Sequence, residues 1–75
     1  MILIYSQGAG ERIRFLAPDI KKGIRELLEQ LANDAYLGKP LQRELRGFWS
    51  LAYKRYRIIY RFISETGPIQ IHAVG

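Results

Sequence analysis

Residues 45–62, LRGFWSLAYKRYRIIYRF, constrain this chain more than any other stretch. The run is dense in aromatic and β-branched residues, which favour pleated strands. It also carries five cations, Arg46, Lys54, Arg55, Arg57 and Arg61, and no acid. A strand pair that is both apolar and cationic needs one face for a core and the other for an anionic partner. From residue 56 the alternation is explicit. Tyr56, Ile58, Tyr60 and Phe62 share one face, and Arg57, Ile59, Arg61 and Ile63 share the other. The first face is assigned to the core. The second presents Arg57 and Arg61 at a separation read as roughly 7 Å, similar to that of successive phosphates on one nucleic-acid strand. Upstream, Trp49, Leu51 and Tyr53 alternate with Ser50 and Ala52. The pattern predicts an antiparallel hairpin of 48–53 and 56–64 that turns at Lys54-Arg55. That turn lacks the Asn-Gly or glycine-rich pair favoured in two-residue loops, which leaves room for a longer one.

The flanking stretches supply the rest of a small domain. Residues 1–5, MILIY, form a continuous apolar run that ends at Ser6-Gln7-Gly8. It reads as a strand, edge or central, buried on both faces or on one with a partner over the other. Residues 9–16 hold about two helical turns, with Ile13 and Leu16 on one side and Glu11, Arg12 and Arg14 toward water. Proline is tolerated in a helix's first turn and not further in, so Pro18 opens a second helix. Its apolar stripe is Ile20, Ile24, Leu27, Leu28 and Leu31. Gly23 inside it costs up to about 1 kcal/mol relative to alanine, and points to a close approach to the first helix or to the sheet. Residues 33–40 read as a loop and 64–68 as a turn. In the last strand Ile69, Ile71 and Ala73 alternate with Gln70, His72 and Val74, which puts His72 on the arginine face. The expected fold is α+β in the order β-α-α-β-β-β. A helical hairpin packs on one face of a small, largely antiparallel twisted sheet, as a single domain over 1–75.

Composition bounds the function. The chain has no cysteine and one histidine, so a disulfide framework, a thiolate zinc site and a histidine cluster are excluded. No metal or cofactor is expected. No apolar run reaches the length of a membrane span. MILIY is too short for a secretory signal and lacks its basic start, so a cytoplasmic protein is expected. Twelve Lys and Arg against seven Asp and Glu give a net charge of +5. The cations concentrate in residues 39–61, where Glu44 is the one acid. Such a balance points to RNA, DNA or an acidic protein segment, or simply to a solvated basic surface.

The segment GKPLQRELRGFWSLAYKRYRIIYRF resembles the central signature of the RelE/ParE toxin superfamily. The matching features are Gly38-Lys39-Pro40-Leu41, then Leu45-Arg46-Gly47, the aromatic-led strand at Trp49, and Tyr56-Arg57-Ile58-Ile59-Tyr60. The closing Ile71-His72-Ala73-Val74-Gly75 is similar to the family's last core strand, and the element order agrees along the full length. The resemblance implies a toxin of a bacterial or archaeal type II toxin–antitoxin pair. RelE-like members enter the ribosomal A site and cut mRNA without a metal, whereas ParE-like members poison DNA gyrase. A small antitoxin wraps around either kind and holds it inactive. By the same resemblance Arg57 matches the arginine that stabilises the scissile phosphate. This chain also departs from the pattern. The basic residues that RelE carries on the preceding strand would fall near Phe48 and Ser50, and the family often has arginine where Ala52 stands. The family continues past its final Val-Gly with a basic segment and an aromatic or acidic residue that supply the general acid. This sequence stops at Gly75, so either the tail lies outside this sequence or the member is a shortened one.

A metal-free ribonuclease needs a base for the 2′-hydroxyl, a cation for the phosphate charge and an acid for the leaving oxygen. Arg57 and Arg61 fit the second role, because guanidinium stays charged and binds phosphate through two donors. Arg46, Lys54 and Arg55 are suited to hold the flanking backbone. Tyr53 or Trp49 would stack on a base if exposed. No general base stands out. His72 is the one possible acid or base, against the plainer reading of a surface histidine. Core packing is expected for Trp49, Tyr56 and Tyr60. For Arg57 and Arg61 the alternative is a solvated face paired with Glu44 or Glu65. The leading function is translation inhibition by ribosome-dependent mRNA cleavage. A ParE-like gyrase inhibitor, or an inactive member that only binds its antitoxin, are the alternatives. The implied partners are a small acidic antitoxin and either ribosome and mRNA or gyrase, with no membrane.

Overall fold

A computed structural model describes residues 2–75. The chain runs β1 (Leu3–Tyr5), α1 (Gln7–Arg14), α2 (Pro18–Asn33), β2 (Lys39–Pro40), a 3-10 turn (Arg43–Leu45), β3 (Trp49–Tyr53), β4 (Tyr56–Phe62) and β5 (Ile69–Val74). The strands form one sheet in the order β1-β5-β4-β3-β2, with β1 parallel to β5 and every other pair antiparallel. On the covered face, α1 lies against β5 and β1, and α2 against β3. This is the α+β architecture that the sequence pattern predicts. One strand is additional: Lys39 and Pro40, expected in a loop, pair with Ser50 and Trp49 at the sheet edge.

The first strand is shorter than its apolar run, and Met1 lies outside the described residues. It occupies the opposite edge and is fully covered on neither face, since Ile4 on one side is 47% and Tyr5 on the other 44% exposed. The first helix begins at Gln7, two residues before the apolar pattern indicates. Ser6 explains the difference, because its hydroxyl accepts a hydrogen bond from the Ala9 amide at 3.0 Å. Such a cap stabilises a helix by about 1 kcal/mol, which offsets part of the cost of Gly8 and Gly10. Along the second helix Ile24, Leu28 and Leu31 are buried, and Ile20 and Leu27 are half-buried against them. Gly23 faces the sheet, not the first helix. A Cβ there would overlap the hydroxyl and ring of Tyr53.

Tyr60 is the central pin of the core. It is fully buried, and its hydroxyl donates to the Ala35 carbonyl at 2.8 Å and accepts from the Gly38 amide at 3.0 Å. Burial pushes its phenol pKa up, the Gly38 amide opposes that, and Asp34 adds to the rise. Gly38 has no room for a side chain, since a Cβ would lie 2.6 Å from the Ser50 carbonyl oxygen. Nearby, Tyr36 meets Trp49 and Phe62 edge-on at 5.4 and 5.1 Å and donates to Glu65 at 2.9 Å. The 34–38 segment is thereby tied to the sheet and to the 64–67 turn.

Two local features of the sheet differ from the simple pattern. The hairpin closes in two residues, because Tyr53 pairs with Tyr56, and Lys54 adopts φ 53° in place of a glycine. On β5 the register with β4 shifts: Tyr60 pairs with Ile71, but Ile59 pairs with Ala73. His72 is the extra residue of a β-bulge. Beyond it the parity reverses, so Val74 is buried and Ala73 lies opposite Ile59, contrary to the expected alternation.

Candidate functional site

The face of the sheet away from the helices carries the cations. On β4, Arg57, Ile59 and Arg61 point there, and all but Ile59 are exposed. Four residues of strand at about 3.3 Å each put the two arginines about 13 Å apart. The expected 7 Å is the step from Arg57 to Ile59. The two guanidinium groups are therefore not adjacent along the strand, and they head separate clusters.

Around Arg61, three strands converge. Its Nε donates to Gln70 Oε1 at 2.9 Å, and its guanidinium carbon lies 5.4 Å from the centre of the Phe48 ring, within cation–π range. The His72 ring approaches Phe48 from another side, with centroids 5.1 Å apart and planes tilted by 54°. Arg61, Gln70 and His72 line a groove of about 180 Å³ with Ile4, Tyr5 and Ser6. Ser6 braces the bulge, since its amide donates to the Ile71 carbonyl at 3.0 Å and its hydroxyl to the His72 carbonyl at 2.8 Å. The capping residue of the first helix thus also sets the backbone under His72.

Arg57 lies nearer the hairpin turn, paired in register with Ala52. Its amide donates to the Gly75 carbonyl at 2.7 Å, and the Gly75 amide donates back at 3.0 Å. It lines an open groove with Lys39, Leu41, Ser50 and Ala52, because the pairing of Lys39 with Ser50 brings the Gly-Lys-Pro segment alongside. Lys54 and Arg55 form the turn beyond it, and Arg46 is exposed just after the 3-10 turn. Arg57, Arg61 and His72 thus make a strip across β4 and β5, with Arg57 at one end and Arg61 and His72 at the other, whereas the Lys54 ammonium lies 5.6 Å from the centre of the Tyr53 ring, toward the helix side.

Trp49 and Tyr53 are not on this face. Trp49 packs against Tyr60 and Phe62, and Tyr53 lies under Gly23, so neither is placed to stack on a base beside the arginines. The aromatic ring in contact with Arg61 on the cationic face is that of Phe48. The expected acidic partners are also elsewhere or otherwise engaged. Glu65 accepts from Tyr36, and Arg61 bonds Gln70. Phe48, Gln70 and Lys39 also line or adjoin the site, although no sequence motif assigns them a role there. Parity contained the signal for two of them, since Phe48 shares a face with Ser50 and Ala52, and Gln70 with His72.

Chemically, Arg61 commits one of its five donors to Gln70 and keeps those on its two terminal nitrogens for an oxyanion. Among the described residues no group of three or more His, Cys, Asp or Glu gathers to hold a metal ion, and no helix is long and apolar enough to cross a membrane.

Comparison with known proteins agrees with this architecture. The sequence model of the ParE toxin of type II toxin–antitoxin systems (parDE) matches residues 4–75. No curated protein matches the sequence. Among solved structures, a chain of the RelBE2 toxin–antitoxin complex from Mycobacterium tuberculosis is 29% identical. It superposes with a TM-score of 0.86, over 97% of this chain and 93% of that one. The YoeB/ParE toxin from Agrobacterium tumefaciens matches at 17% identity and TM-score 0.84, covering 99% and 95%. A chain of the Pseudomonas aeruginosa ParDE system matches at 19% identity and TM-score 0.62, covering 99% and 92%. The last two likenesses concern the fold alone. The family match over residues 4–75 places this chain in the ParE toxin family, as a type II toxin–antitoxin toxin of the RelE/ParE fold.

Proposed function

We propose that this toxin arrests translation by cutting mRNA on the ribosome without a metal, and that a small acidic antitoxin restrains it in the cytoplasm. The observation that carries the reading is the cationic strip on the helix-free face, where Arg57 and Lys39 share one groove and Arg61 stands about 13 Å further along the same strand. Such spacing fits an extended single strand with a phosphate at each arginine. The 29% identity to a chain of the RelBE2 complex also supports it.

In the reaction the 2′-oxygen of the RNA gives its proton to a water molecule and attacks the adjacent phosphorus. The bond to the 5′-oxygen breaks, and that oxygen takes up a proton from water. Negative charge grows on the phosphate throughout. Arg57, with Lys39 beside it, stabilises that charge, and Arg61 holds the strand in register. Orientation on the ribosome lowers the barrier further. His72 stands with Arg61, not with Arg57, so it belongs to strand binding in this scheme. Arg57→Ala is expected to lower cleavage by about 10²–10³-fold, the range for loss of one charge-stabilising donor. His72→Ala should cost less than about 10-fold, far below the loss of a proton-transfer group. Equal losses in the two variants would refute this division of roles.

A second reading has its own support. The matching family model is that of ParE, and the open-face positions 48, 50 and 52 hold Phe, Ser and Ala, with no cation. On that reading the strip binds gyrase and cuts nothing. A gyrase cleavage assay separates the two, and inertness in both assays would leave a chain that only binds its antitoxin. The antitoxin reading draws on the net charge of +5 and on exposed apolar side chains such as Ile2, Phe15 and Ile63.

A further inference from the structure

We infer that Phe48, Arg61 and His72 form a subsite that seats one phosphate of single-stranded RNA two nucleotides away from Arg57, and that Phe48 is its positioning residue. The inference rests on the proposed RNA-directed function and adds a second contact point to it.

Phe48 is fixed from behind. Its carbonyl accepts from the Leu41 amide at 2.9 Å and its amide donates to the Leu45 carbonyl at 3.0 Å. From that anchored backbone its ring meets the Arg61 guanidinium, at 5.4 Å, and the His72 imidazole, at 5.1 Å. Arg61 is held a second time through Gln70. His72 is held a second time through Ser6, which grips its carbonyl. Two long or rotatable polar side chains are thus fixed over one groove by a single ring between them. Arg61 keeps donors on both terminal nitrogens, and imidazole adds a donor that a phosphate oxygen can accept. The groove is open and polar on the side of Ser6 and Gln70, as a solvated backbone requires. An extended strand laid from Arg57 to this point spans about 13 Å. A single strand of RNA carries a phosphate at every nucleotide whatever its sequence, whereas a peptide needs acids at particular positions, which favours RNA. Phe48, just before β3, is uncharged, so its contribution is to aim Arg61, not to add charge.

The test uses the full chain and an uncleavable 2′-O-methyl pentanucleotide. Phe48→Leu, Phe48→Trp and Arg61→Gln are compared with the parent by binding at several salt concentrations and by NMR of the Arg61 Nε–H and the His72 ring protons. Phe48→Leu should weaken binding about 10-fold, the worth of one charge-assisted hydrogen bond, with the salt slope unchanged because no charge is lost. Arg61→Gln should weaken binding and also lower the slope by about one. Phe48→Trp should restore most of the affinity. In free Phe48→Leu the His72 ring protons should lose the ring-current displacement that Phe48 imposes. Unchanged His72 and Arg61 signals, or parent-like affinity in Phe48→Leu, would overturn the inference, as would a parent chain that binds an acidic peptide and not the oligonucleotide. If binding follows the expected pattern while no mRNA is cut during translation, the subsite stands and the cleavage reading falls. If mRNA is cut equally well by the parent and by Phe48→Leu, cleavage stands and the subsite falls.

Discussion

Tyr60→Phe is the most informative single change for the fold. It keeps the ring that stacks beside Trp49 and Phe62 and removes only the hydroxyl. That hydroxyl satisfies two backbone groups, the carbonyl of buried Ala35 and the amide of half-buried Gly38. Each group left without a partner costs about 1–3 kcal/mol, and the Gly38 amide has partial access to water, so the change should cost roughly 2–4 kcal/mol. A chain of this length has a total stability of about 4–11 kcal/mol, so a large share is at stake. The midpoint of thermal unfolding should fall by about 10–25 °C. Urea unfolding followed by Trp49 fluorescence and far-ultraviolet circular dichroism measures it. A loss under about 0.5 kcal/mol would refute the view that this hydroxyl pins the 34–38 segment. Gly38→Ala provides a cross-check. Its Cβ would lie 2.8 Å from the Tyr60 hydroxyl and 2.6 Å from the Ser50 carbonyl oxygen. It should destabilise in both backgrounds, but less in Tyr60→Phe, where one of the two conflicts is gone.

Three further outcomes are expected. Gly23→Ala raises helix propensity by about 1 kcal/mol, yet it should destabilise by about 1–3 kcal/mol through overlap with Tyr53; thermal unfolding of Gly23→Ala/Tyr53→Ala should recover the propensity gain. Lys54→Gly should stabilise by roughly 1 kcal/mol, since Lys54 holds φ 53° at a cost that glycine does not have; chemical denaturation that shows no gain would contradict that. Finally, Tyr60 is raised above its ordinary value of 10.0, so the folded chain keeps a proton that the unfolded chain loses. Its contribution is fully present below about pH 10 and is lost as pH rises through the folded value. Unfolding free energies measured above pH 10 should therefore decline more steeply in the parent than in Tyr60→Phe.

The alternation in residues 56–62 and the stripe on the second helix locate Ile24, Leu28, Leu31, Ile58 and Tyr60 in the core, because each lies on an uninterrupted element where a regular period maps directly onto burial. Expectation failed where a backbone irregularity changed the count. The bulge at His72 reversed the parity of Ala73 and Val74, and nothing in a local window announces one extra residue that the partner strand does not match. The helix start at Ser6 was hidden by two glycines, which depress propensity while the cap restores it. The edge strand at Lys39-Pro40 is too short to carry a period at all. In the candidate site, the identity of the cations was legible but their grouping was not. Strand arithmetic separates Arg57 from Arg61, and only the sheet order brings Lys39 to the first and Gln70, His72 and Phe48 to the second. Phe48 in particular looks like a core residue by type. It is its parity with Ser50 and Ala52 that sends it to the open face.

The most direct test of the functional account is a reconstituted translation reaction with this chain added, in which mRNA 5′ ends are mapped by primer extension. Cuts at the ribosomal A site that disappear in Arg57→Ala, while that variant unfolds at the parent's temperature, are the predicted result. An intact message with the parent chain, or cuts that persist undiminished in Arg57→Ala, would contradict it.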